Sequence, residues 1–298
     1  MITYIFAQFL PFIYDLKTFK NNKNFIRFFI FLFFVLFIGL RHNVGGDWYL
    51  YIEAAKKGSI YKSIDDTVIT IIYFISYKIF NAGIYGVNII TALILVFSIN
   101  KFLSIFNFKF FSLSMFMFFP VVIVIGAMGF VGQTIAFSFG LVAISNLIQK
   151  NFFKFFFFCI LATLSHISGF FFFFFTVCIF KQKTNLIFSL FFIFILALIY
   201  YFYNINELNR VFYFYLGDGL SLNSKGALPR IFITSIFAFI FVFFLRKKID
   251  NYLEKNVFSL MSLISLISIP SVFFASTFID RINFYIIPLQ VYTVIMSL

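Results

Sequence analysis

Long apolar runs separated by short polar gaps repeat along nearly the whole chain. Runs such as 25–40 and 229–245 are long enough to cross a hydrocarbon core of about 30 Å as helices. The pattern predicts about 11 transmembrane helices, at residues 1–14, 25–40, 84–100, 110–127, 131–149, 152–165, 167–180, 185–203, 229–245, 257–276 and 284–298. The predicted fold is therefore all-α, a polytopic integral membrane helical bundle that occupies residues 1–298 as a single transmembrane domain.

One further apolar segment, residues 67–82, does not fit this count. It carries Tyr73, Tyr77 and Lys78, which suit the headgroup level of a membrane. A crossing here would also invert the orientation of every later helix. The sequence therefore predicts an interfacial or re-entrant helix over this segment.

Composition and charge narrow the class and the orientation. Hydrophobic residues make up 63% of the chain and charged residues only 11%, against about 25% charged in a soluble domain. The net charge of +13 does not indicate a nucleic-acid partner, because the basic residues gather in short gaps at 17–27, 101–109, 150–154, 181–183 and 246–255. The positive-inside rule places these gaps in the cytoplasm.

This orientation puts the N-terminus outside and leaves three predicted outer loops, at about 41–83, 204–228 and 277–283. Most residues able to carry chemistry then lie on that outer face. The sequence contains no Walker A loop, dinucleotide-binding glycine motif, H-E-x-x-H or C-x-x-C, so we expect neither a nucleotide nor a metal cofactor. Cys159 and Cys178 lie within apolar runs, which favours small buried side chains.

The first polar cluster follows the second predicted span directly. It contains Arg41, His42 and Asp47, and the glycine pair at 45–46 allows the backbone to turn back toward the bundle. Arginine forks suit phosphate oxygens. A snorkelling arginine at a membrane exit, followed by an interfacial aromatic belt at 48–51, is the structural alternative.

Two single polar residues are also predicted at the outer face. His166 lies between two short apolar runs, and its neutral imidazole suits proton transfer. Gln133 opens a predicted helix, where its amide can bind a hydroxyl or phosphate oxygen. The alternatives are a structural hydrogen bond for His166 and helix capping for Gln133.

The last cluster is the pair Asp280 and Arg281, between two predicted spans. Charges close to the hydrocarbon are costly and usually face a cavity or a partner, and a salt bridge within the pair is the simplest alternative. Five basic residues are candidates for a cationic patch on the outer face: Arg41, Arg210, Lys225, Arg230 and Arg281.

Four motifs in this order resemble the EpsG family, which groups with Wzy-type polymerases. G-L-R-H-N-V-G-G-D-W-Y-L-Y is similar to the family's G-x-R-x-x-x-G-x-D-Y-x-x-Y, and G-Q-T-I-A followed by A-T-L-S-H-I-S is similar to its R-Q-x-I-A and A-x-x-x-H-x-S. D-R-I-N-F-Y matches D/E-R-x-x-x-Y. The chain departs from the family at Gly132, where the family has arginine, and lacks a clear E-x-G-F near residues 67–70.

The resemblance implies a GT-C-like helical bundle in the bacterial cytoplasmic (inner) membrane, with its active site facing the periplasm or exterior. The implied reaction polymerises oligosaccharide repeat units carried on undecaprenyl diphosphate into O-antigen (lipopolysaccharide), capsule or exopolysaccharide. Membrane lipid and a chain-length regulator protein are the other implied partners.

The roles that follow from this reaction are hypotheses. Arg41 and Arg281 are assigned to the diphosphate, and His42, Arg210 and Arg230 to further substrate binding. Asp47 is the first candidate for the base. Asp280 is either an alternative base or a group that orients an arginine. His166 and Gln133 are assigned to the acceptor.

Functions of other classes stay open. A flippase for the same lipid-linked oligosaccharide is the main alternative, but it is expected to carry charges along a cavity across the membrane and repeated halves. A membrane O-acetyltransferase would need a histidine facing a cytoplasmic acyl donor, whereas His166 is predicted outside. A purely structural scaffold does not account for polar groups gathered at one face.

Overall fold

The computed structural model describes residues 2–16, 22–45, 48–56, 67–179, 224 and 226–298, and the regular structure of those residues is helical. Their contacts divide the chain into two compact units, Met1–Phe170 and Phe171–Leu298. Both units can belong to one transmembrane domain, so this division does not test the expected single domain, which stays a prediction.

The first unit is built from eight helices in its described part. These are α1 (Ile2–Phe9, extended by the 3₁₀ segment Leu10–Asp15), α2 (Lys23–Gly39), α3 (Trp48–Lys56), α4 (Thr67–Phe74, extended by the π segment Ile75–Ile79), α5 (Gly83–Ser104), α6 (Phe111–Phe118, extended by the π segment Phe119–Ala127), α7 (Val131–Ile148) and α8 (Phe152–Ser165). Helix α7 is the centre of the unit, because it is buried on nearly every side and packs on α5 and α8. Asn151 caps α8 by accepting a hydrogen bond from the Lys154 backbone N–H.

Residues 67–79 of the 67–82 segment form a helix, and its interfacial or re-entrant position stays a prediction. The contacts around this helix show how the chain returns to α5. The end of α2 meets the start of α5, where a Cβ on Gly39 would lie 3.1 Å from the Ile89 Cα. Ser76 donates to the Gly83 carbonyl at 2.5 Å, which ties α4 to the start of α5. The chain that leaves α2 therefore comes back to the same level at the start of α5.

The second unit contains a 3₁₀ segment and four α-helices in its described part. The 3₁₀ segment Ile167–Ile179 crosses the boundary from the first unit. The helices are α9 (Ala227–Ile240, continued by Phe241–Leu245 and Arg246–Lys248), α10 (Tyr252–Ser271), α11 (Ser276–Ile286) and α12 (Pro288–Ser297). Pro288 stands at the first position of α12, where its missing N–H costs nothing.

Residues 277–283, expected as an outer loop, lie instead inside α11. The polar pair at 280–281 breaks the hydropathy pattern, but the apolar residues around it keep a helical spacing, and residues 283–286 are buried. The short polar stretch at 280–281 is therefore part of a helix and not of a loop.

Four described helices are long and apolar enough to cross a membrane: Gly83–Ser104, Val131–Ile148, Ala227–Lys248 and Tyr252–Ser271. Several shorter apolar helices accompany them, including Thr67–Ile79 and Phe152–Ser165. The chain is thus a multi-pass helical membrane protein. The count of eleven spans stays a prediction, and the predicted span 185–203 lies outside the described residues.

Candidate functional site

Arg41 occupies the centre of the first polar cluster, two residues beyond the end of α2. Its side chain is buried, at 7% exposure, and points inward between α5 and the segment that precedes α7. Its Nη1 donates to the Ala127 carbonyl, and its Nη2 donates to Asn88 Oδ1 at 3.0 Å. The Nε–H of Arg41 is buried and has no hydrogen-bond partner among the described residues.

The contact with Ala127 has an ordinary structural explanation. Ala127 is the last residue of the π segment Phe119–Ala127, and the last carbonyls of a helix lack partners within it. A cation at this position also interacts favourably with the helix dipole. This capping accounts for Nη1 of Arg41, but not for Nε or for the full positive charge.

The charge of Arg41 has no carboxylate partner in the part of the chain that the structure describes. Burial lowers the pKa of Arg41 to about 10, and the nearby Tyr51, Tyr73 and Tyr4 oppose that effect. The guanidinium therefore stays protonated at neutral pH. Since a buried charge without a partner costs several kcal/mol, this arrangement favours an anionic ligand.

His42 joins an aromatic cluster with Tyr85 and Trp48. Its Nδ1 lies 2.7 Å from the Tyr85 hydroxyl, and its ring lies 5.7 Å from the Trp48 ring, centroid to centroid, in an edge-to-face contact. Trp48 and Tyr51 are buried against α4, α5 and α7. The interfacial aromatic belt considered for residues 48–51 is therefore wrong for Trp48 and Tyr51, whereas the third aromatic residue, Tyr49, is exposed.

The loop after α2 is pressed against the connection between α6 and α7. Gly45 has a φ of +103°, and a Cβ there would overlap the Met128 carbonyl oxygen. Glycine is thus required both by its backbone conformation and by the close approach. Asp47, the predicted base, lies outside the described residues, as does Arg210.

The start of α7, which carries Gln133, packs against His166 in the first unit. Gln133 is buried in the first turn of α7, and the adjacent Gly132 faces α8, where a Cβ would lie 3.6 Å from the His166 Cδ2. The Phe130 N–H, which a capping box would pair with the Gln133 side chain, already donates to the Gly126 carbonyl at 2.7 Å.

The hydrogen bonds of His166 indicate its tautomer. The backbone N–H of Ser168 donates to His166 Nδ1 at 3.2 Å, and the Ser168 hydroxyl lies 2.6 Å from the same nitrogen. A nitrogen that accepts a backbone N–H carries no proton, so the neutral ring is protonated at Nε2. In this arrangement His166 offers a donor rather than the base that was one of its predicted roles.

Asp280 in the second unit pairs with Arg230, not with its sequence neighbour Arg281. Arg230 donates from Nε to Oδ1 at 2.9 Å and from Nη2 to Oδ2 at 2.5 Å, and the Ser224 hydroxyl donates to Oδ2 at 2.9 Å. The salt bridge within the 280–281 pair is thus replaced by one between α9 and α11. Residues adjacent in a helix point in different directions, which is why sequence proximity misled.

This bidentate pair favours an orienting role for Asp280. Three donors occupy its two oxygens, and the fork geometry fixes the guanidinium plane of Arg230. Gly226 makes room for that plane, since a Cβ there would lie 2.6 Å from Arg230 Nη1. Arg281 is half-buried in α11, and its assignment to a diphosphate stays a prediction.

The sequence reasoning missed Asn88 and Tyr85, which contact Arg41 and His42 respectively. An asparagine inside the apolar run of α5 was a detectable signal, because a buried amide needs a partner. Within the described ranges, no three His, Cys, Asp or Glu side chains gather as metal ligands.

The model of the EpsG family matches residues 24–298, a range that includes every predicted site residue. The chain belongs to the EpsG family. The resemblance seen in short motifs thus extends over nearly the whole length of this EpsG-family protein. No curated protein and no solved structure matches it.

Proposed function

We propose that this EpsG-family protein is a membrane glycosyltransferase that polymerises undecaprenyl-diphosphate-linked oligosaccharide repeat units. The reaction takes place at the outer face of the bacterial cytoplasmic membrane and supplies a surface polysaccharide. The observation that carries this proposal is the buried Arg41, whose charge has no carboxylate partner in the described part of the chain.

The chemistry of the reaction requires such a group. When the growing glycan leaves its carrier, negative charge develops on the diphosphate, and a fixed cation in a water-poor site lowers the energy of that transition state. An arginine fork presents several donors to phosphoryl oxygens at once. No nucleotide or metal is required for this step.

The other candidate residues support an acceptor site in the first unit. His166, with its proton on Nε2, can donate a hydrogen bond to a sugar oxygen. Gln133 is a buried amide in the first turn of α7, next to the glycine that faces His166. Asp47 remains the proposed base that takes the proton of the attacking hydroxyl. Membrane lipid and a chain-length regulator protein complete the proposed partners.

The experiment that tests the proposal is a surface-glycan gel on a strain that lacks this gene. The strain is complemented with the wild-type chain, with Arg41→Ala, or with Arg246→Ala as a control that removes an exposed arginine. We expect a single repeat unit in the deletion strain. Wild type and Arg246→Ala should restore a ladder, whereas Arg41→Ala should not, at equal protein in the membrane.

Two results would contradict the proposal. A full ladder with Arg41→Ala would remove this arginine from the reaction. Loss of all surface repeats from the deletion strain, including the single unit, would assign the protein to export and favour the flippase.

A further inference from the structure

Asn88 is a buried polar residue in the second turn of the apolar helix α5. Only 1% of its surface is exposed, and its Oδ1 accepts the hydrogen bond from Arg41 Nη2 at 3.0 Å. Its Nδ2 group is buried and has no hydrogen-bond partner within the described ranges. Burying an amide donor without a partner costs about 1–3 kcal/mol, so the position of this group needs a reason.

The orientation of the Asn88 amide follows from the chemistry of its partner. A guanidinium has only donors, so the atom that faces Arg41 must be the oxygen. The amide nitrogen therefore points elsewhere as a donor. In Asn88, Nδ2 is two covalent bonds from Oδ1, the atom that accepts the hydrogen bond. In Arg41, Nε is likewise two covalent bonds from Nη2, the atom that donates it.

The two donors without partners thus flank one hydrogen bond. One belongs to a cation and the other to a neutral amide, and both are more than nine-tenths buried with their residues. A small group rich in oxygen lone pairs and negative charge has an acceptor for each of the two donors. A phosphoryl group has these properties.

We infer that Asn88 is a further substrate-binding residue, which positions Arg41 through Oδ1 and donates through Nδ2 to the same phosphoryl group. The choice of a polyprenyl diphosphate as the source of that group rests on the proposed function. The donor pair itself is equally suited to a free phosphate or to the headgroup of an ordinary anionic lipid.

Replacement by aspartate separates this role from a merely structural one. Asn88→Asp keeps an acceptor for Arg41 and adds an ion pair, so a residue that only holds Arg41 would work as well or better as aspartate. The same change removes the Nδ2 donor and places a negative charge beside the phosphoryl group. A ligand-binding Asn88 therefore predicts weaker binding in a protein that folds normally.

The measurement is the binding of undecaprenyl diphosphate to the purified full-length chain in phosphatidylcholine nanodiscs. The variants are Asn88→Asp, Asn88→Ala and Arg41→Gln, with Asn146→Ala as the matched control. Asn146 is also a buried asparagine, but its Nδ2 donates to the Val142 carbonyl at 2.7 Å. Thermal unfolding of each variant reports whether it folds.

We expect Asn88→Asp to weaken binding about tenfold to a hundredfold, the usual cost of a lost hydrogen bond to a charged group. Its unfolding temperature should be equal to or above that of wild type, and Asn146→Ala should bind normally. Unchanged binding by Asn88→Asp, while Arg41→Gln loses it, would overturn the role of Asn88 and leave the proposed function intact.

Two further probes separate the source of the phosphoryl group. Inorganic pyrophosphate and nanodiscs that contain phosphatidylglycerol replace the polyprenyl diphosphate in the same titration. Binding of either as tightly as the polyprenyl diphosphate, with the same dependence on Asn88, would support the phosphoryl site and contradict the proposed function. No binding of any of the three by wild type would overturn the inference.

Discussion

The two ring nitrogens of His166 have different environments, and this difference gives a prediction. Nδ1 accepts the Ser168 N–H and fixes the turn after α8, whereas Nε2 carries the proton. Asparagine can accept that N–H with its side-chain oxygen, so His166→Asn should keep the turn and lose the Nε2 donor. We expect unchanged thermal unfolding and at least about a tenfold loss of polymer, measured on purified protein and on surface-glycan gels.

Glutamine is the complementary replacement. His166→Gln places a donor near the position of Nε2 but does not restore the acceptor for Ser168, so it should unfold at a lower temperature than His166→Asn. A normal ladder from the asparagine variant would reduce His166 to the structural residue that was its alternative interpretation.

At this scale the sequence identified residue types better than residue pairs. The sequence identified Arg41 as a candidate phosphate ligand and left a snorkelling side chain as the alternative, and the structure buries the side chain. The pairing of Asp280 was not predictable, since Arg230 is fifty residues away in the chain and only helix packing brings it close. Asn88 was missed because a single amide in an apolar run has no motif.

The contact between two connecting segments depends on Gly45 and leads to a prediction at the scale of elements. Gly45→Ala would have to adopt an unfavourable φ and displace the Met128 carbonyl, at a cost of about 1–3 kcal/mol. We expect a lower unfolding temperature and a weaker polymer ladder, because the loop that follows Arg41 would move. Both are measured on the same membrane preparations.

Gly129→Ala is the matched control, from the other side of the same contact. A Cβ on Gly129 would meet no atom within 4 Å, so this variant should unfold and polymerise like wild type. Equal effects from both alanines would mean that any change in this connection is harmful. That result would contradict a specific requirement for glycine at position 45.

Element boundaries were predicted well where polarity and helix ends coincide. The predicted span 152–165 and helix α8 agree, because Asn151 is both a polar residue and the cap. The predicted span 257–276 was placed too late, since α10 begins at Tyr252 and includes Glu254. Hydropathy locates the apolar part of a helix, whereas the start depends on the Asn251 cap and on the bond from the Tyr292 hydroxyl to Glu254, at 2.5 Å.

At the scale of the molecule, the charge pattern predicted which helix ends lie together within the first unit. The basic gaps assigned to the cytoplasm meet there: the Arg27 guanidinium lies 3.5 Å from the Phe108 ring centroid, and Lys101 donates to Gln149 at 3.1 Å. The opposite ends meet around Arg41. Which end faces outward depends on the membrane and its insertion machinery, so the positive-inside rule remains its only support.

That orientation gives a labelling prediction for the whole chain. Tyr49→Cys and Phe80→Cys stand at exposed positions on either side of the segment that contains α4, and Lys247→Cys stands in the exposed turn after α9. If the chain returns to the outer face before α5, a membrane-impermeant maleimide should label the first two in intact cells. It should label Lys247→Cys only after the membrane is permeabilised.

The wild-type chain supplies the background for this experiment, because both of its cysteines are buried. The pattern of labelling distinguishes a wrong position of α4 from a wrong orientation of the whole chain, which the sequence alone does not separate. Opposite labelling of positions 49 and 80 would mean that α4 crosses the membrane, which contradicts the return of the chain from α2 to the start of α5 at one level. Agreement of those two with each other, but only after permeabilisation, would instead place the Arg41 site in the cytoplasm. A diphosphate carrier handled there would belong to assembly before export, and the proposed polymerase would have to be abandoned although the phosphoryl site could stand.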